Sequence, residues 1–214
     1  GLISAFEQLM AGGQLDAHDA QPALTLDALL TQAVSALPQG VVKDAAELHD
    51  ALRGFIYERV RNQLGAHYDR AVIDAVLALQ PPLHQVSARV AAVAAFQQQP
   101  AAASLAAANK RVGNLLKKAE DTNATVDAAL LREPAEAALA KVIDQLQPDA
   151  ERQAAAGDFA GSLTTLAGAR EAVDAFFNDV MVMAEDPAVR RNRLALLARL
   201  HGLMNQVADL GRLA

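Results

Sequence analysis

Apolar residues in this chain recur at spacings of three and four, and no alternating run lasts beyond four or five residues. Leu48, Leu52, Phe55, Ile56, Val60 and Leu64 show the pattern best and predict one amphipathic helix over 45–64. A strand needs period two, so the pattern implies an all-α fold. Gly and Pro divide it further. Gly12-Gly13, Pro38 with Gly40, Gly65, Pro81-Pro82 and Gly157 bound further helices expected over 2–10, 26–37, 69–80, 83–96, 101–119, 133–156, 158–184 and 187–213. Thr25, Asp158 and Asp186 stand at N-cap positions, and Pro187 suits a first turn. The expectation is a bundle of about eight to nine helices, with 97–100 dividing a lead-in subdomain, 1–98, from a C-terminal bundle, 99–214.

Hydrophobic residues make up 52% of the 214 but aromatics only 4%, with no Trp, so the core must be Leu, Val and Ala at close helix spacing. There is no Cys, which excludes disulfides and thiolate chemistry. No apolar run approaches the roughly 20 residues that cross a bilayer, and no basic segment precedes a hydrophobic one at the start. These features predict a cytoplasmic chain with no membrane partner.

The formal net charge of −6 argues against a generally basic nucleic-acid binder, but the cations cluster. Lys110, Arg111, Lys117 and Lys118 fall within 104–118 with no acid, and 187–214 holds five Arg against the single Asp209. A polyanion responds to potential within about 10 Å, so local segments outweigh the total. On a helix, Leu105, Ala108, Val112, Leu115 and Leu116 share one side. Lys110, Asn114 and Lys117 lie opposite, with Arg111 and Lys118 flanking. The face suits nucleic acid; the plainer reading is a solvated helix surface.

In the final helix Leu196, Leu200, Leu203, Val207 and Leu210 face inward, and Arg191 and Arg199 face out. Arg193 shares the side of Leu197 and Leu200, so it is expected to be partly buried against a carboxylate such as Asp179 or Glu185, or else to lie in a groove. Phe176 and Phe177 point about 100° apart, so they either pack on two neighbours or leave one ring free to stack. Met181 and Met183 read as gap-filling core.

His18-Asp19 and His49-Asp50 resemble fragments of a metal-dependent phosphohydrolase site but lack partners, and chance explains them better. No phosphate loop, nucleophile elbow or zinc spacing occurs. No catalytic residue and no metal ligand is assigned.

The blocks Ala107-Ala-Asn-Lys-Arg111 with Asn114, Leu131-Arg-Glu-Pro134, Asp174-Ala-Phe-Phe177 with Val180-Met-Val-Met183, and Asn192-Arg-Leu194 with Val207-Ala-Asp209 stand in the order of a known family. In them the chain resembles the C-terminal region of the bacterial glycyl-tRNA synthetase beta subunit. That region is similar to the anticodon-binding domain of arginyl-tRNA synthetase, often called the DALR domain; the literal Asp50-Ala-Leu-Arg53 lies outside the matching segment. The resemblance implies a fragment that recognises the anticodon of glycine tRNA and holds no cofactor. ATP and Mg are then expected at the alpha subunit, a partner through the full-length beta subunit. Under that likeness Lys110, Lys117, Lys118, Arg190, Arg191 and Arg199 hold phosphates, and Arg111, Asn114, Asn178, Asn192 and Arg193 are base-edge candidates, with Phe176 or Phe177 the stacking ring. Two rivals are the arginyl-tRNA synthetase domain itself and a helical subunit-docking module without RNA readout. A cationic groove favours tRNA, and a large apolar patch with an acidic rim favours docking.

Overall fold

The computed structural model describes residues 26–38, 41, 43–119 and 125–214. Among them the chain is all-helical, with nine α-helices and no strand: α1 Leu26–Ser35, α2 Ala45–Leu64, α3 Arg70–Leu77, α4 Leu83–Phe96, α5 Ala102–Leu116, α6 Pro134–Ala155, α7 Phe159–Ala167, α8 Arg170–Asp179 and α9 Pro187–Met204. Two 3-10 turns, Ala128–Leu130 and Leu210–Leu213, complete the order. The helix expected over 2–10, the loop after it and the Thr25 cap lie outside the described residues.

Local chemistry sets most boundaries. Asp44 accepts the N–H groups of Ala46 and Glu47 at 2.9 and 3.0 Å and opens α2. Asp158 accepts from Gly161 at 2.8 Å to open α7, directly after Gly157 has turned the chain at φ +81°. Asp186 accepts from Ala188 at 2.8 Å, and Pro187 fills the first position of α9.

Two expected helices are shorter than their pattern. The stretch 158–184 divides after Ala167, where Gly168 and Ala169 donate to Thr165 and Leu166 three residues back and tighten the turn. A Cβ on Gly168 would stand 3.2 Å from the Thr165 carbonyl, so the glycine eases this tight turn. After α8 the chain leaves the helix through an extended Val180 and a bend at 182–183: Val180 and Val182 are buried, while Met181 and Met183 are 75% and 56% exposed, against the expectation that both fill the core. The stretch 187–213 likewise stops being α-helical at Met204. Arg89 of α4 donates to the carbonyls of Gln206 and Val207 at 2.7 and 3.0 Å, and Asp209 N–H donates to Ala75 of α3 at 2.9 Å. These long-range bonds draw 205–209 off the helix axis.

The core is continuous from Val60 to Leu210 and consists mainly of Val, Leu and Ala, with Phe96, Phe159 and Phe176 as its large rings. In it α6 packs on α7 and α8, α4 on α3 and α7, and α5 on α8, α9 and the last turn. No helix of the described residues is long and apolar enough to cross a membrane.

Candidate nucleic-acid interface

Helix α5 buries Leu105, Ala106, Ala108, Asn109 and Val112, and this fixes which of its residues face out. Lys110, Arg111, Asn114 and the following Lys117 and Lys118 are exposed. Among the described residues none of these four cations is salt-bridged to a carboxylate. The two lysines past the helix end also complement its negative pole.

Between α5, α9 and the last 3-10 turn lies an open groove of about 1100 Å³. Among the described residues its cations are Lys110, Lys117, Arg199 and Arg212, and its one acid is Asp209, which pairs with Arg212 at 3.0 Å. Small-molecule sites occupy about 300–1,000 Å³ and close around their ligand, so an open groove this large suits a polymer. Its wall depends on a close approach: a Cβ on Gly211 would stand 3.2 Å from the Lys110 backbone. Lys110 in turn donates to the Ala214 carbonyl at 2.7 Å.

Asn109, 1% exposed, forms the floor with Asn205 and His201. The two carboxamides meet at 2.8 Å, and Asn205 lies 3.0 Å from His201 Nε2. With its carboxamide turned oxygen-first, Asn109 also accepts from Gly211 N–H at 2.8 Å and caps the last turn, and Asn205 then turns its own nitrogen towards that oxygen. Burial pushes the His201 imidazole below the usual histidine range; Asp209 pulls it back up, and Lys117 adds to the fall. The floor is therefore neutral near pH 7 while the walls are cationic.

A shallower depression of about 380 Å³ adjoins the groove, lined by Lys110, Arg111, Asn114 and Lys118. Here the Arg111 guanidinium lies 4.4 Å over the ring of Phe177. Phe177 meets Phe176 edge-on, with centroids 5.6 Å apart, so the buried ring holds the half-buried one, which holds the arginine.

The structure thus brings together Lys110, Arg111, Asn114, Lys117, Lys118, Phe177 and Arg199 of the expected contact residues. Arg199 is shared, because it also donates to Asp144 at 2.6 Å and to Gln147. Asn178 and Arg191 are exposed but line neither depression, and Arg190 donates to the Ala184 carbonyl at 2.9 Å. Three residues expected at bases are buried. Phe176 is a core ring, and Asn192 accepts from and donates to the Asp127 backbone at 2.7 and 3.0 Å. Arg193 does form a buried ion pair, but with neither Asp179 nor Glu185: its Nε is 2.7 Å from Glu136 Oε1. Burial alone would raise the Glu136 carboxyl, yet bonds from Arg193 and from the N–H groups of Glu133 and Arg132 hold it below the usual range.

Sequence reasoning missed Asn109, His201, Asn205 and Arg212. One signal was present, since His201 and Asn205 stand four apart and share a helix face. The His49 pair is a surface cluster, 3.5 Å from Asp50 and 3.7 Å from Asp27, and no group of three metal-binding side chains occurs among the described residues.

Residues 105–210 match the family described as the DALR anticodon binding domain. The chain is 53% identical over 193 residues to the glycine–tRNA ligase beta subunit of Leptothrix cholodnii, an alignment covering 89% of this chain and 27% of that subunit. It is 56% identical over 173 residues to the beta subunit from Janthinobacterium sp., covering 79% and 25%. For the Methylobacillus flagellatus beta subunit the figures are 50% over 194 residues, covering 89% and 27%. The chain spans about a quarter of the length of these relatives. With an all-helical fold and this shared sequence, the chain belongs to the glycine–tRNA ligase beta-subunit family, in the part that carries the DALR anticodon binding domain.

Proposed function

We propose that this chain binds the anticodon arm of glycine tRNA, for aminoacylation carried out by the alpha subunit of the same ligase. ATP and Mg²⁺ are then needed at the alpha subunit and no cofactor here, and the place of action is the cytoplasm. Residues 99–214 supply the binding bundle, and 1–98 lead into it. The observation that carries the reading is a local one: a chain of net charge −6 gathers Lys110, Arg111, Lys117 and Lys118, without carboxylate partners among the described residues, along α5 and just past its end, beside an open groove. Cations on a path wider than a small ligand suit a phosphate backbone, and the asparagines between them suit base edges. The family match at 105–210 covers this surface.

A second reading, docking between subunits, draws on the exposed Met181 and Met183. The experiment that separates them is the affinity of the protein, at stated salt, for a glycine tRNA transcript and for one with its middle anticodon base changed. A loss on the order of 1 to 3 kcal/mol on the change supports anticodon readout. Equal binding to both reduces the groove to a phosphate grip, and no binding to either favours docking.

A further inference from the structure

The groove's walls and floor differ in chemistry. Lys110, Lys117, Arg199 and Arg212 along the walls suit phosphate. The floor has no net cation: Asn109, Asn205 and His201 join one another at 2.8 and 3.0 Å. A neutral imidazole offers one donor and one acceptor, and each carboxamide offers both. Phosphate only accepts, so a floor that presents acceptors opposes it. A nucleobase edge carries donors and acceptors side by side and matches it.

Space is left for such an edge. A Cβ on Gly113 of α5 would sit 3.4 Å from His201 Nε2, and one on Gly202 of α9 would meet nothing within 4 Å. The missing side chain of Gly113 therefore leaves the imidazole open from that side, and Gly202 adds free space to the same groove. Leu79, Leu116 and Val126 line the same groove and offer apolar contact to the faces of a ring.

We propose that this floor is a subsite for the Watson–Crick edge of one unstacked anticodon base, with His201 and Asn205 as the residues that touch it. The proposal rests on the function proposed above. Glycine codons begin with two guanines, so their anticodons end in two cytosines, and cytosine is the expected occupant. Its amino group donates to a floor acceptor, and its N3 accepts from a floor donor. Asn109, beneath the other two, is a positioning residue that fixes the Asn205 carboxamide.

The test compares the protein with its His201→Ala, Gly202→Leu and Lys117→Ala variants, against glycine tRNA transcripts altered singly at each anticodon position. The unaltered protein is expected to lose about tenfold or more at each cytosine. His201→Ala should erase that ratio at one cytosine and keep it at the other, whereas Lys117→Ala should weaken every transcript equally. Gly202→Leu fills the groove from a position with free space and should erase the same ratio, which protects the test if His201→Ala melts abnormally. Unchanged ratios in both variants, beside a discriminating parent, would overturn the subsite alone. A parent that discriminates at no anticodon position would overturn the anticodon reading and the subsite with it.

Discussion

Arg193 ties two distant stretches together, its Nε 2.7 Å from Glu136 Oε1 at the start of α6 and its Nη1 donating at 2.8 Å to the Met181 carbonyl in the connection before α9. Glu136 uses its other oxygen to accept the N–H groups of Arg132 and Glu133 at 2.7 and 2.6 Å. One arginine therefore fixes both a helix start and a loop path.

Replacing Arg193 by Leu leaves the Glu136 carboxylate buried without its countercharge, and about 3 to 5 kcal/mol of stability should be lost at pH 7. Denaturant titration measures it. The native Glu136 pKa is depressed, so its stabilising contribution is present above the ordinary carboxylate pKa, near 4.3, and disappears as pH falls through the native value. Glu136→Gln should flatten that part of the acid limb.

His201 has the opposite protonation chemistry and a similar pH direction. Its native pKa lies below the ordinary histidine value, so the unfolded chain binds the proton more tightly, and stability falls as pH drops below about 6.5. The groups near it are Lys117 just past α5, Asp209 and Arg212 beyond α9, and Arg199 and Asn205 on or after α9. His84, lowered by burial and by Arg89, adds to the same slope. His201→Gln should reduce the slope between about pH 5 and 7 in thermal melts without removing it.

Lys117 and Lys118 stand beyond the α5 terminus with no carboxylate partner among the described residues. If each meets a phosphate, its change to Ala should weaken tRNA binding evenly across sequences and lower the slope of log affinity against log salt by about 1. Binding titrations at several salt concentrations give the slope. Arg191 lines neither depression, and Arg191→Ala should leave the slope unchanged.

Gly157 has φ +81°, where a side chain is strained although no atom crowds its missing Cβ. Gly157→Ala should cost about 1 to 2 kcal/mol in a urea titration and leave RNA affinity unaltered.

Helix class and most helix starts were readable from residue spacing, because caps and periodicity act within a few positions of one another. The Val180–Met183 segment was not, since Met counts as apolar and hides an in-out alternation that burial makes plain. The partner of Arg193 was misjudged for a related reason: Glu136 lies 57 positions away, and spacing along one helix carries no information about it. The same holds for the groove. Its α5 wall was visible as an acid-free face, but Asn109 projected onto the apolar side among alanines and drew no attention as a floor residue. Phe176 and Asn192, expected at bases, are buried, the ring in the core and the carboxamide on the Asp127 backbone, contacts that spacing along one helix does not reveal.

The clamp that Arg89 of α4 closes on Gln206 and Val207, together with the bond from Asp209 to Ala75 of α3, has a bearing on how small a working piece of this protein can be. The match to the DALR family begins at 105, yet the carbonyls that steer the chain back along the groove are gripped from residues upstream of it. An excised 105–210 would keep its signature and lose the hand that holds its rim. Grafts or minimal binders taken from this scaffold should therefore carry α3 and α4 with them.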